Sequence, residues 1–128
     1  MTALRAEQIP DAEVIGYGFD QAVVLHNAGR LQEAEALYDA ILKAQPNHPE
    51  ANHNCGVLCV RAGLFEASIP YFCKAVEANP TAPQFWLSYV EAHVLAGRRD
   101  DARLILEHAK RQGLAGANVD ALEKAITE

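Results

Sequence analysis

Three glycines set the frame of this chain. Gly29, Gly63 and Gly97 follow one another at intervals of 34 residues (63 − 29 and 97 − 63). The same step joins Pro46 to Pro80, Pro49 to Pro83, Ala34 to Ser68 and Ala102, and Tyr38 to Phe72 and Leu106. A fixed period of this size marks stacked units, each too small to bury its own apolar face, so that neighbours must share one continuous core.

Each period reads as two helices and a short turn. Pro49 can open a helix at a position where its missing N–H costs nothing, and Gly63 can take the left-handed conformation that ends it. A second helix then runs from about Phe65 to Ala78, where Pro80 stops it and biases Asn79 away from helix. Ala22, Ala34, Gly56, Ser68 and Ala102 are small residues at expected helix crossings, with Tyr38 and Phe72 filling the space beside them. The 23 alanines of the composition favour helix throughout. The expected fold is therefore all-α. Its division is an N-terminal extension with the start of the first helix at 1–14, repeats at 15–48, 49–82 and 83–116, and a C-terminal capping helix at 117–128.

Local chemistry refines these expectations. Asp11 is a candidate cap for a first helix reaching Ala28, with Gly16 and Gly18 loosening its beginning. Asn118 is expected to cap the last helix, whose Val119, Leu122 and Ile126 share one face. Arg98-Arg99 before Asp100-Asp101 reads as a turn followed by a capped helix. Pro70 falls inside a helix, deletes one backbone bond and should bend it on its outer face.

Several functional classes find no foothold. A formal charge of −6 with scattered basic residues disfavours nucleic acid. No run of residues is long and apolar enough for a membrane span, and the N-terminus lacks the pattern of a secretion signal, so a cytoplasmic setting is expected. Cys55, Cys59 and Cys73 are an odd number in a chain long enough to fold without disulfides. Cys55 and Cys59, four apart, share a helical face at positions suited to core packing, and His53 points elsewhere, so no metal site is expected. His26, His48, His53, His93 and His108 form no ligand-spaced cluster, and His93 reads as a satisfied core histidine. No phosphate-binding loop or nucleophile motif is present. Neither an enzyme nor a cofactor is expected.

The pattern resembles the tetratricopeptide repeat family over roughly residues 15–112. The match is carried by Ala34, Tyr38 and Pro46, then by Gly56, Phe72, Ala75 and Pro80, and finally by Trp86, Ala102 and Ala109. Ser68, Val90, Gln21 and Leu114 depart from the family pattern. The resemblance implies a right-handed superhelical stack whose first helices line a concave groove. Carried over in register, the groove positions are Phe19, Asp20, Val23, His26 and Asn27 in the first unit, and Glu50, His53, Asn54, Val57 and Arg61 in the second. The third contributes Gln84, Leu87, Ser88, Glu91 and Leu95. Arg61 is suited to a bidentate pair with a carboxylate of a bound peptide, and Asn54 to bonding a peptide backbone through both ends of its amide.

The function this implies is a non-catalytic adaptor that binds a peptide or protein segment. A receptor for the C-terminal carboxylate of heat-shock chaperones is disfavoured, since only Asn54 matches the residues of that clamp. A narrower resemblance, carried by Pro83-Gln84-Phe85-Trp86-Leu87-Ser88-Tyr89 and Gly113-Leu114-Ala115-Gly116, is to repeat regions of bacterial glycosyltransferase-like proteins. It keeps open a substrate-recognition or assembly domain for a glycosyltransferase- or sulfotransferase-type enzyme. Self-association is a third expectation, through apolar stack ends at Val14, Ile15, Leu104 and Leu106.

Overall fold

Each repeat glycine ends a helix in the same way. Gly29, Gly63 and Gly97 have φ of 82°, 77° and 78°, a region that residues with a Cβ rarely occupy. The reversal brings Arg30 N–H to Leu25 O at 2.9 Å, Leu64 N–H to Cys59 O at 2.8 Å and Arg98 N–H to His93 O at 2.8 Å. These are the wrap-around bonds that satisfy the last carbonyls of a helix. Gly113 repeats the device, with Leu114 N–H on Ala109 O at 3.0 Å.

The computed structural model describes residues 12–128. Within them lie α1 (Ala12–Asn27), α2 (Leu31–Ala44), α3 (Pro49–Arg61), α4 (Phe65–Ala78), α5 (Pro83–Leu95), α6 (Arg99–Arg111) and α7 (Ala117–Thr127). Asp11 as a cap, and most of the expected N-terminal extension, lie outside the described residues. The chain is an all-α stack of three helix pairs closed at its C-terminal end by α7. Consecutive helices pack on one another, and α3 also touches α5, whereas the second helices α2, α4 and α6 make no comparable contact among themselves. Among the first helices α3 touches α5, and α5 touches α7, whereas no pair of second helices makes a comparable contact, which distinguishes an inner face of first helices from an outer face of second helices.

Crossing sites balance volume from repeat to repeat. Ala22, Gly56 and Val90 stand 34 residues apart, opposite Tyr38, Phe72 and Leu106 in the same register, and all six are buried. A Cβ on Gly56 would lie 2.6 Å from Cε1 of Phe72, so the full ring requires glycine. Val90, the departure from the family pattern, is tolerated because Leu106 is smaller than an aromatic ring. A second repeated element joins the units: Asn52 Nδ2 donates to Pro46 O at 3.0 Å, and Trp86 Nε1 donates to Pro80 O at 2.7 Å. Asn52 and Trp86 share one register position, and each ties a first helix to the proline carbonyl that ends the preceding helix. Ser68, another departure, is fully buried and donates its hydroxyl to Phe65 O at 2.6 Å. Burying that oxygen therefore leaves no polar group unsatisfied.

Three expectations change at this level, and one helix cap was not foreseen. The start of α7 is Gly116, with φ 118°, and no side chain caps it; Asn118 lies inside the first turn. Arg98 occupies the cap position of α6 without a side-chain cap, and Asp100 instead pairs with Arg103 at 3.1 Å. Conversely, His48 does cap α3, its Nδ1 accepting Ala51 N–H at 3.0 Å. Of the supposed apolar stack ends, Ile15 and Leu106 are buried and only Val14 and Leu104 are exposed. Pro70 is exposed on α4, and the helix continues through it. The face of α7 is as expected: Val119 and Ile126 are buried in the core of α4 to α6, with Leu122 packed against them.

Candidate functional site

The inner face is built by α1, α3 and α5, and a continuous file of polar side chains crosses it. His26 Nδ1 lies 3.2 Å from Tyr38 Oη, which accepts Asn54 Nδ2 at 3.1 Å. Asn54 Oδ1 is 3.2 Å from His53 Nδ1, and His53 Nε2 is 2.8 Å from Ser88 Oγ. Gln84 Nε2 completes the file by donating to Ser88 Oγ at 3.2 Å. With both imidazoles neutral, one direction of donation satisfies every link: Gln84 to Ser88, Ser88 to His53, His53 to Asn54, Asn54 to Tyr38, and Tyr38 to His26.

The repeat register explains how the file is assembled. Asn54 and Ser88 are 34 residues apart. Asn54 finds the hydroxyl of Tyr38, but the equivalent of Tyr38 in the next unit is Phe72, which has none. His53 fills that gap. Its ring centroid lies 5.4 Å from that of Phe72 and 5.0 Å from that of Phe85, and this packing aims Nε2 at Ser88.

Electrostatics favour the neutral file. Burial lowers the His53 pKa against the opposing effects of the Asn54 hydrogen bond and the Glu50 charge. Burial also lowers that of His26, and the charge of Arg61 adds to the effect. Arg61 is exposed at the end of α3, with its charge felt at the His26 end of the file.

Other expected positions scatter around this line. Val23 and Val57 are half-buried on the inner helices, while Asp20, Asn27 and Glu50 are exposed. Phe19 is partly buried against the core, its ring 6.1 Å from that of Tyr38 and 5.4 Å from that of His48. Leu95 is exposed at the end of α5. Gln84, Leu87, Ser88 and Glu91 are brought together with Asn118, Ala121 and Leu122 of α7 around a pocket of about 270 Å³. Asn54 already places one amide N–H on Tyr38 and one lone pair of Oδ1 toward His53, which leaves one N–H and one lone pair for a ligand.

Tyr38 and the α7 residues were not expected at the site. Tyr38 reads in the sequence as core bulk, and only its hydroxyl, where the next repeat has Phe72, hints at a polar role. For α7 no signal in the sequence specifies the contact with α5.

Ser88, His53 and Asn54 are connected in the order of a nucleophile, a base and an orienting amide. The serine nevertheless sits within α5, whose backbone N–H groups are committed to the helical ladder and so supply no oxyanion donors. His93 is buried, with Nδ1 3.0 Å from Tyr89 O, as a core histidine should be. Among the described residues no cluster of three or more histidines, cysteines or carboxylates is placed to hold a metal. No helix among them is long and apolar enough to cross a membrane.

The Cys55 thiol is pushed up to about 12, first by burial and then by Asp39, Cys59 and Glu35; burial raises Cys59 as well. A thiol that stays protonated is a poor nucleophile. We therefore expect Cys55 to resist iodoacetamide at pH 8 in the folded chain and to react once urea unfolds it, as read by peptide mass mapping.

Fold and site together define a helical-repeat scaffold with a preformed inner face. Models of the tetratricopeptide repeat match residues 60–126, more than half of the chain, and residues 19–49. The chain belongs to the tetratricopeptide repeat family. Among solved structures it is similar to PcrH from Pseudomonas aeruginosa, with a TM-score of 0.81 at 17% identity over 98% of this chain and 100% of that one. The type III secretion translocator chaperone SycD of Yersinia enterocolitica gives a TM-score of 0.75 at 12% identity, covering 95% of this chain and 84% of that one. PcrH in complex with the chaperone binding region of PopD gives 0.73 at 17% identity, over 97% and 91% of the two chains. No curated protein matches the chain.

Proposed function

We propose that the chain is a non-catalytic protein-interaction module that holds an extended peptide or protein segment against the face formed by α1, α3 and α5. The observation that carries this reading is the six-residue polar file from His26 to Gln84. It spends hydrogen bonds within the protein to fix the inner helices in one arrangement, so little ordering cost remains for a ligand. Beside it, Val23, Val57 and Leu87 offer aliphatic contacts, and Arg61 supplies a cation suited to a carboxylate. PcrH, a structural neighbour, has been solved with a segment of PopD, which supports a peptide-binding use of this architecture. The partner is a protein, with Asp20, Asn27, Glu50 and Leu95 at the margins of the contact.

A direct test uses a random 12-residue peptide library displayed on phage and panned against the whole chain. Selected peptides titrated into 15N-labelled protein are expected to shift amide resonances of α1, α3 and α5. Shifts confined to the outer surfaces of α2, α4 and α6 would place binding elsewhere and overturn the reading. For peptides that carry a carboxylate, Arg61→Ala is expected to weaken affinity about three- to tenfold.

A further inference from the structure

Between α5 and α7 the inner face closes into a pocket of about 270 Å³, walled by Gln84, Leu87, Ser88, Glu91, Asn118, Ala121 and Leu122. That is just under the roughly 300 Å³ at which pockets begin to hold drug-sized ligands, the scale of one long side chain. Its walls are of two kinds. Leu87, Ala121 and Leu122 form an apolar lining, and Glu91 is the one ionisable group in it. Neither Glu91 nor the Asn118 side chain has a hydrogen-bond or ion-pair partner among the described residues. Because Gly116 begins α7, the Asn118 amide is not consumed as a helix cap.

We propose that this pocket seats a lysine or arginine side chain of the bound segment, with its aliphatic stem on Leu87, Ala121 and Leu122 and its cation on the Glu91 carboxylate. This deepens the groove-binding reading and rests on it. A long basic side chain is apolar along its stem and charged only at its tip, which matches a lining that combines Leu87, Ala121 and Leu122 with a single carboxylate. A purely apolar guest would strip water from Glu91, Gln84 and Asn118 without replacing its hydrogen bonds. An acidic guest would meet Glu91 directly, in a chain whose formal charge is already −6. The amide oxygens of Gln84 and Asn118 can accept the remaining N–H groups of the cation. Ser88 contributes little, since its hydroxyl is committed to His53 and Gln84. Arg61, whose charge acts at the His26 end of the polar file, can take a carboxylate of the same segment.

The test uses the same displayed peptides with the full chain. Those that shift α1, α3 and α5 are expected to carry a lysine or arginine at one fixed position. Replacing that residue by methionine, or the protein's Glu91 by glutamine (Glu91→Gln), should each weaken affinity about tenfold, with little further loss when the two changes are combined. Affinity of the native pair should also fall with added salt, and much less so for Glu91→Gln. Circular dichroism checks that the variant is equally helical, as expected for an exposed site. Groove-binding peptides without a fixed basic residue, or equal affinity for Glu91→Gln, would overturn the pocket assignment while leaving the groove reading intact. Peptides that bind only the outer helices, or a library that yields no groove binder, would overturn both.

Discussion

A Gly56→Val variant is expected to lose about 3 kcal/mol of stability, or about 10 °C in Tm. The first added carbon already falls 2.6 to 2.8 Å from three atoms of the Phe72 ring, and Phe72 is 2% exposed. The ring has no solvent to move into, so the α3–α4 crossing must open. The third repeat supplies the remedy, because valine at the same register position there faces Leu106. Adding Phe72→Leu to Gly56→Val should therefore restore more than half of the loss. Urea denaturation of wild type, both single variants and the double variant measures this directly. If the double variant is no more stable than Gly56→Val, volume balance at the crossing is the wrong explanation.

The second large effect concerns His53. Replacing it by alanine removes a ring packed between Phe72 and Phe85 and leaves Ser88 and Asn54 each short of a partner, at an expected cost of about 3 kcal/mol at pH 7.5. Ser88→Ala should cost less alone and add little to His53→Ala, since both break the same link. The file also predicts a pH dependence. Burial holds the His53 and His26 pKa values below the 6.5 of the free side chain. The unfolded chain therefore takes up protons first as pH falls. Their contribution to stability is complete above about pH 6.5 and declines as pH drops through that value toward the folded pKa values. Urea midpoints at pH 7.5 and 5.5 should fall in the wild type, and fall less in a His26→Gln, His53→Gln variant. An equal fall in both would assign the pH dependence to other groups.

Much of the architecture was legible because it is local. The glycine and proline spacing fixes where helices stop, since positive φ and a missing N–H are properties of single residues. Thus α4 begins and ends at Phe65 and Ala78, as its signals predict. The buried faces follow for the same reason: small residues 34 apart can only be crossings when bulky ones recur opposite them. Caps were less legible. Asn118 has the chemistry of a cap, yet Gly116 starts α7, because the chain must first turn at Gly113 and bury Leu114, which is 8% exposed.

For the site, the sequence by itself determined the helix periodicity and put His26, His53, Asn54, Ser88 and Gln84 on the first helices of their repeats. Tertiary structure alone decided what those groups do. Hydrogen bonds between side chains 16 and 35 residues apart, from Asn54 to Tyr38 and from His53 to Ser88, depend on how neighbouring helices are rotated against each other. That rotation is set by the packed volumes of residues far apart in the chain. The same docking brings Asn118, Ala121 and Leu122 of α7 against α5 and makes a pocket around Glu91, which no spacing within either helix encodes.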